Sequence, residues 1–392
     1  RMCFGVITFY IESILYTESM KIPATSWLEI SQSALTHNFT QFKKNLSPKT
    51  KILCVIKGNA YGHDLKTILS VLKKEHSDFY GVFDIQDALT IRATDQKTSI
   101  LVLCPTTPEF IPLALKHNLS LSITSNETLA KITHKKLSKP LKIHLCIETG
   151  LGRDGIPNQE ISRTLALIHN KKNVVIEGLY THFSGAESRT FDQLTRLQTS
   201  RLIEWESALH NFGIKPITHA SGTAGSLLGD TFKLDMCRVG LGLYGLWPSE
   251  ETKLTAKKVT LKPVLSWKTK IVDIKVLPKN HGIGYDASFI TNRDTKIAVV
   301  PVGYYDGIPR SSSNKGWMLV KGKRVPLRGK VMMNMCVLDI TDLDVEVGDE
   351  VVIIGRQLKN NISVEDWANY SGTINYEIVT KINPLLLRIF AK

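Results

Sequence analysis

An α/β architecture is predicted for this 392-residue sequence: an N-terminal (β/α)8 TIM-like barrel followed by a C-terminal, mainly antiparallel β domain. Three observations predict it. From Trp27 to Gly245, short apolar runs alternate with helix-like patterns, the order that parallel strands joined by helical crossovers require. Seven or eight such units in about 220 residues suit a closed barrel better than an open sheet. Lys57, Arg153, His182, Ser221 and Arg238 fall at or near the C-terminal ends of the strand-like runs, the face on which barrel active sites are built. Beyond Leu254 the texture changes to runs rich in Val, Ile, Thr and Lys, separated by turn signals.

Taken in order, the chain opens on an apolar stretch, Cys3 to Ile11, that Glu12 interrupts. It is too short to span a bilayer. It lacks the basic start and small-residue cleavage site of a signal peptide. Met20 is a more natural beginning, so residues 1–19 are expected to be a disordered or artefactual extension and 20–254 the barrel. Barrel strands are expected at 51–56, 99–103, 120–123, 141–147, 174–179, 217–219 and 236–243. Helices are expected at 31–46, 65–74, 84–93, 126–133, 158–169 and 191–212, with Asn126 and Asn158 as N-caps. The β domain, 255–392, is expected to carry strands in 259–276, 296–302, 317–320, 325–327, 331–340 and 350–354. A helix over 363–370 comes near its end.

The net charge of +14 comes from 50 Lys and Arg against 36 Asp and Glu. The basic residues are scattered, without aromatic interleaving or a nucleic-acid motif, so no nucleic-acid partner is expected; attraction of anionic ligands or a basic proteome explains the charge. No membrane partner is expected either. Cys3, Cys54, Cys104, Cys146, Cys237 and Cys336 are widely spaced with no C-x-x-C pair, which reads as reduced thiols in the cytoplasm. His182 has no second His or Cys at ligand spacing, and no metal is expected.

Several segments carry chemistry. Ile52 to Ile56 runs straight into Lys57-Gly58-Asn59-Ala60-Tyr61-Gly62-His63. Burial at a strand end disfavours the ammonium and lowers its pKa, as Schiff-base chemistry requires; a strand-end lysine snorkelling into water is the alternative. Gly240 to Gly245 matches G-x-G-x-x-G, but Trp247-Pro248 follow and no helix clearly starts there. A late barrel loop whose backbone N–H groups cradle a phosphate is the better reading, with a Gly-rich turn as the alternative. Arg153, in the loop Thr149 to Gly155, presents a planar fork to a carboxylate or phenolate, or is an incidental surface charge. In the β domain Tyr285, Tyr304 and Met333 each follow a Gly-containing turn; singly, each reads as packing.

Together these segments resemble the pyridoxal-phosphate-dependent alanine racemases over residues 30–388, in the family order. The anchors are V-I-K-G-N-A-Y-G-H at 55–63, T-G-L-G-R at 149–153, T-H-F-S at 181–184, R-V-G-L-G-L-Y-G at 238–245, G-Y-Y-D-G at 303–307 and I-N-Y-E at 374–377. The resemblance implies a homodimer with shared active sites and racemisation of L-alanine to D-alanine for peptidoglycan. It implies that Lys57 holds pyridoxal 5'-phosphate covalently and serves the D-alanine face. Tyr285 of the other subunit would serve the L-alanine face. Tyr61 and Tyr376 would bind the phosphate with the Thr223 hydroxyl and the backbone of Gly240 and Leu241. Arg238 would face the pyridine nitrogen, and His182 would contact Arg238 and Tyr285. Arg153 would orient the phenolic oxygen and the substrate carboxylate, Met333 would give that carboxylate a backbone N–H, and Tyr304 would narrow the entrance.

Three positions depart from the family pattern. Cys146 stands where many members carry a carbamylated lysine, so Arg153 needs another anion, such as chloride or Glu148. Asn334 replaces an aspartate, and Gly222-Thr223 replaces Asn-Ser. The rival readings are a broader racemase acting, for instance, on serine, a barrel decarboxylase whose cysteine-centred motif is missing here, and a single-barrel cofactor-homeostasis protein. The β domain with Tyr285 argues against the last.

Overall fold

Eight parallel strands form a nearly closed barrel in the computed structural model, which describes residues 24–391. The expected extension, 1–19, lies outside those residues. β1 (Ser26–Ile30) belongs to a second sheet. The barrel strands are β2 (Lys51–Val55), β3 (Phe79–Val82), β4 (Ser99–Pro105), β5 (Ser120–Ile123), β6 (Leu141–Glu148), β8 (Val174–Tyr180), β9 (Ile217–His219) and β10 (Met236–Val239). The two-residue β7 (Ile156–Pro157) pairs with the end of β6. β10 pairs in parallel with β2, placing Met236 beside Lys51 and Arg238 beside Leu53. Between β9 and β10 the Asp235 N–H reaches the Thr218 carbonyl at 3.1 Å and the Arg238 N–H the Ser221 carbonyl at 2.8 Å. Leu53, Val55, Phe79, Leu101 and Met236 form one buried cluster of this core, as expected of strands covered on both faces.

The helix expected at 126–133 has those bounds, but neither asparagine caps as expected. Ser125, in extended conformation, accepts the Thr128 N–H and caps the helix Asn126–Thr133. Asn126 is buried in the first turn instead, donating to Glu160 at 2.6 Å and accepting from Thr164 at 2.8 Å. Asn158 opens a 3-10 turn ahead of the helix Ile161–Ile168 and donates to Glu204 at 3.1 Å. The run expected at 236–243 stops as a strand at Val239, and Leu241–Tyr244 is a 3-10 turn.

The second sheet runs in the order β12–β15–β18–β17–β16–β19–β11–β1–β21, with β20 on β19. Its members are β11 (Leu265–Lys270), β12 (Asp273–Leu277), β15 (Thr295–Val300), β16 (Trp317–Val320), β17 (Lys323–Arg328), β18 (Cys336–Asp339), β19 (Glu350–Gln357), β20 (Asn360–Ile362) and β21 (Leu387–Phe390); β13 (Gly282–Ile283) and β14 (Phe289–Ile290) make a separate hairpin. The pairings from β12 to β20 are antiparallel. The helix Val364–Ser371 begins at a capping box of Ser363 and Asp366. By compactness, 30–265 group with 373–384 and 390–391, and 24–29 group with 266–372 and 385–389.

Candidate active site

Lys57 stands just past β2, where the backbone turns left-handed. Gly58, Asn59, Ala60 and Tyr61 take φ of +61°, +52°, +53° and +53°. For L-residues this conformation costs roughly 1–2 kcal/mol each. The turn is held by Ala60 N–H to the Ile56 carbonyl at 3.0 Å and by the Asn59 side chain, which accepts the Leu65 N–H at 2.9 Å. Gly62 closes it at φ +79°, and a Cβ there would lie 1.9 Å from the Val379 carbonyl oxygen. That close approach seats the helix Asn375–Thr380 on the loop and brings Tyr376 to 6.3 Å from the Tyr61 ring. Gly62→Ala combines left-handed strain with overpacking, so a loss of about 2–4 kcal/mol is expected, read as a lowered urea midpoint at unchanged m-value.

The Lys57 amine is pushed below its ordinary pKa by burial first, then by the guanidiniums of Arg153 and Arg238. It faces a cavity of about 870 Å³, within the range of small-molecule sites. Tyr61, His182, Thr223, Arg238, Gly240 and Tyr376 share its walls.

Arg238, near the end of β10, is buried and held through both Nη atoms. Its Nη1 lies 2.8 Å from Nδ1 of His219. Its Nη2 lies 2.8 Å from the Thr181 and Ala220 carbonyl oxygens and 2.9 Å from Nδ1 of His182. The guanidinium also sits over the Tyr180 ring at 5.4 Å. An arginine only donates, so both imidazoles must present a lone pair to it. His182 is accordingly neutral: burial first, then Arg238, Arg153 and Lys57, hold it down at about 3. Gln198, from the helix Asp192–Asn211, fixes this loop by donating to the His182 carbonyl at 3.0 Å and accepting the Ser184 N–H at 3.0 Å.

On another wall the Thr223 hydroxyl oxygen accepts the N–H groups of Gly240 and Gly242, each at 3.2 Å, leaving its own proton to donate elsewhere. Gly240 is required: a Cβ there would meet the Tyr61 hydroxyl at 2.6 Å. Burial raises the Tyr61 phenol to about 12, keeping it a donor. The Tyr376 hydroxyl lies 3.2 Å from Glu187, a carboxylate that sequence reasoning did not single out.

Arg153 takes Asp154 as its anion, Nε to Oδ1 at 2.9 Å. Glu148 does not serve it. That carboxylate accepts the N–H groups of Gly150 and Gly152 and ties the loop to itself. Cys146 is buried, and burial lifts its thiol to about 12, so it brings no negative charge.

Tyr285, Tyr304 and Met333 belong to the β unit, where all three side chains are exposed. Tyr304 and Tyr305 N–H groups bond to the Met332 and Met333 carbonyls, each at 2.9 Å, so two of the singled-out turns are one structure. Tyr285 rides on a tight turn with Gly284, Asp286 and Ala287 at positive φ, braced by an Asp286–Lys330 ion pair.

Sequence reasoning missed His144, Glu177, Gln198 and His219; the first three lie inside a strand or helix, where no turn or motif signals a site, and His219 ends β9, a strand of three residues. The five described cysteines are free. Among the described residues no cluster of His, Cys, Asp and Glu suits a metal ion, and no helix is long and apolar enough to cross a membrane.

Two family profiles match, "Alanine racemase, N-terminal domain" over 30–248 and "Alanine racemase, C-terminal domain" over 264–390. The alanine racemase of Leptospira interrogans is 36% identical over 381 residues, covering 95% of this chain and 97% of its own length. That of Halothermothrix orenii is 37% identical over 367 residues, covering 93% and 96%. The crystal structure of the Bacillus anthracis alanine racemase superposes with a TM-score of 0.88 at 32% identity, covering 94% of this chain and 95% of that one. With matches across both halves of its length, the chain belongs to the alanine racemase family.

Proposed function

We propose that the chain interconverts L- and D-alanine with pyridoxal 5'-phosphate, using Lys57 and Tyr285 as bases on opposite faces of the substrate. The observation that carries this reading is an amine of lowered pKa sharing one cavity with the Tyr61 and Thr223 hydroxyls and a buried guanidinium. The donor set fits the cofactor. The Tyr61 phenol, the Thr223 hydroxyl proton and the Leu241 N–H would serve a phosphate beside Gly240, whose own N–H is bonded to Thr223, with Tyr376 at the same end. Arg238 suits a pyridine nitrogen that is to stay unprotonated. Lys57 supplies the amine that tethers the aldehyde. Bound there, the cofactor supplies a conjugated ring that draws electrons from the substrate and makes its α-hydrogen acidic.

The protein's part is to hold and move protons. Burial and two guanidiniums favour the uncharged form of Lys57 Nζ, the form that accepts a proton. Tyr285, contributed by the partner subunit of a homodimer, would hold its proton at Oη on the other side of the α-carbon, with His182 nearby. Arg153, steadied by Asp154, and the backbone N–H of Met333 would orient the substrate carboxylate, while Tyr304 would narrow the entrance. In a bacterium-like setting the product would supply peptidoglycan, from the cytoplasm.

Asp154 and Asn334 alter the charges around the substrate, which bears on breadth. A D-amino-acid-oxidase-coupled assay on purified, cofactor-loaded protein tests both points. L-alanine is expected to be turned over at least about tenfold faster than L-serine or L-lysine, since pocket fit to one extra group discriminates by roughly 10–200-fold. Equal rates would establish the broader racemase, and no D-alanine would end the reading.

A further inference from the structure

Arg238 is buried without a carboxylate in contact, yet a line of hydrogen bonds leads from it across the barrel interior to one. His219 Nδ1 lies 2.8 Å from Arg238 Nη1; His219 Nε2 lies 2.9 Å from His144 Nδ1; His144 Nε2 lies 3.2 Å from Glu177 Oε2. Both imidazoles are fully buried. Glu177 is closed off by the Ser120 hydroxyl and by Lys142, whose Nζ lies 3.2 Å from Oε1.

The protons along this line are determined. The guanidinium can only donate, so His219 Nδ1 is bare and its proton sits on Nε2. That proton points at His144 Nδ1, which must be bare in turn, so the His144 proton sits on Nε2 and is given to Glu177. Every bond points the same way, from cation to carboxylate. Burial favours neutral imidazoles, and although burial opposes its charge, hydrogen bonds from His144 and Ser120 help hold Glu177 ionised, down at about 2.

The backbone is shaped for the line. β6 and β8 slip register between Ile143 and His144, so His144 faces Gly178 and Glu177 is the extra residue. A Cβ on Gly178 would lie 2.0 Å from His144 Nδ1. Tyr180 stacks on His219 at 5.0 Å with planes 5° apart, and Phe79 meets His144 edge-on at 6.1 Å, which keeps both rings from turning over.

We propose that Glu177 and His144 are positioning residues of the racemase site: through His219 they orient Arg238 and supply its balancing negative charge. The proposal rests on Arg238 belonging to that site, but its first test does not depend on turnover. In the cofactor-loaded enzyme, nitrogen-15 NMR of labelled histidines should show His144 and His219 both neutral and protonated on Nε2. The His144 proton should resonate downfield, and it should move upfield in Glu177→Gln, which keeps shape and removes charge. In the same variant kcat should fall by about tenfold or more, the consequence of turning a charge-assisted hydrogen bond into a neutral one, while KM for alanine changes by less than about twofold because neither residue touches substrate. A proton on Nδ1 of either ring overturns the proposal, as does wild-type kcat in Glu177→Gln or a raised KM at unchanged kcat. An inactive wild-type enzyme with both rings in the stated form would instead count against the racemase reading and leave the line intact.

Discussion

Lys57→Ala is expected to lower alanine racemisation by more than about 10⁴-fold, because in the proposed mechanism it removes a base and the tether of the cofactor together. The reasoning starts with the backbone. Three consecutive non-glycine residues in left-handed conformation follow Lys57, and such strain persists only where the surroundings over-determine it. Here the surroundings are the close seat of Gly62 against Val379 and the hydrogen bonds of Asn59 and Ala60. The turn therefore fixes where the amine stands. Burial and the neighbouring guanidiniums then lower its proton affinity. Lys57→Arg would keep length and charge but cannot shed its proton, so it is expected to be as inactive as the alanine variant. After dialysis, wild-type protein should retain the visible absorbance of the bound cofactor and both variants should lose it. Turnover by Lys57→Ala within tenfold of wild type would remove this residue from the chemistry.

Much of the barrel could be read because its strands are continuous apolar runs bounded by turns, and because polar residues collect at one end of those runs. β3 escaped: it has four residues, and Gly81 sits in the middle. That glycine reads as a breaker, yet it is there because a Cβ would lie 2.3 Å from the Leu53 side chain. Asn126 and Asn158 do not cap their helices, although asparagine is a good cap on propensity alone, because both side chains are drawn to tertiary partners. The same division governs the site. Lys57, Arg153, His182 and Arg238 advertise themselves by standing beside glycines and strand ends. His144 and Glu177 lie within strands, where a histidine or glutamate looks like an ordinary pleat residue until register sets β6 beside β8, and His219, though it ends β9, carries no neighbouring motif. Sequence offers chloride or Glu148 as the anion for Arg153, since it shows neighbours but not directions. The carboxylate of Glu148 folds back onto its own loop, and Asp154, one residue on, takes the guanidinium instead.

Tyr285→Phe should separate binding from inversion. The side chain is exposed within its unit and its turn is set by Gly284, Asp286 and Ala287, so loss of one hydroxyl should leave stability within about 0.5 kcal/mol. Cofactor absorbance should be unchanged, since the proposed cofactor contacts reside elsewhere. Racemisation should fall by roughly 10²–10⁴-fold, the usual contribution of one positioned acid or base. The sharper readout is directional. With Lys57 alone remaining, a proton taken from D-alanine can only be returned to the face it left. In deuterium oxide D-alanine should therefore exchange its α-hydrogen without inverting, while L-alanine should scarcely exchange. Exchange of L-alanine at the wild-type rate would mean that another group works that face. Loss of exchange from both enantiomers would mean that the phenol had been acting on Lys57 or on cofactor placement rather than as a base of its own. A two-base site fails on one side at a time, and that asymmetry is the property a single base shuttling between faces cannot imitate.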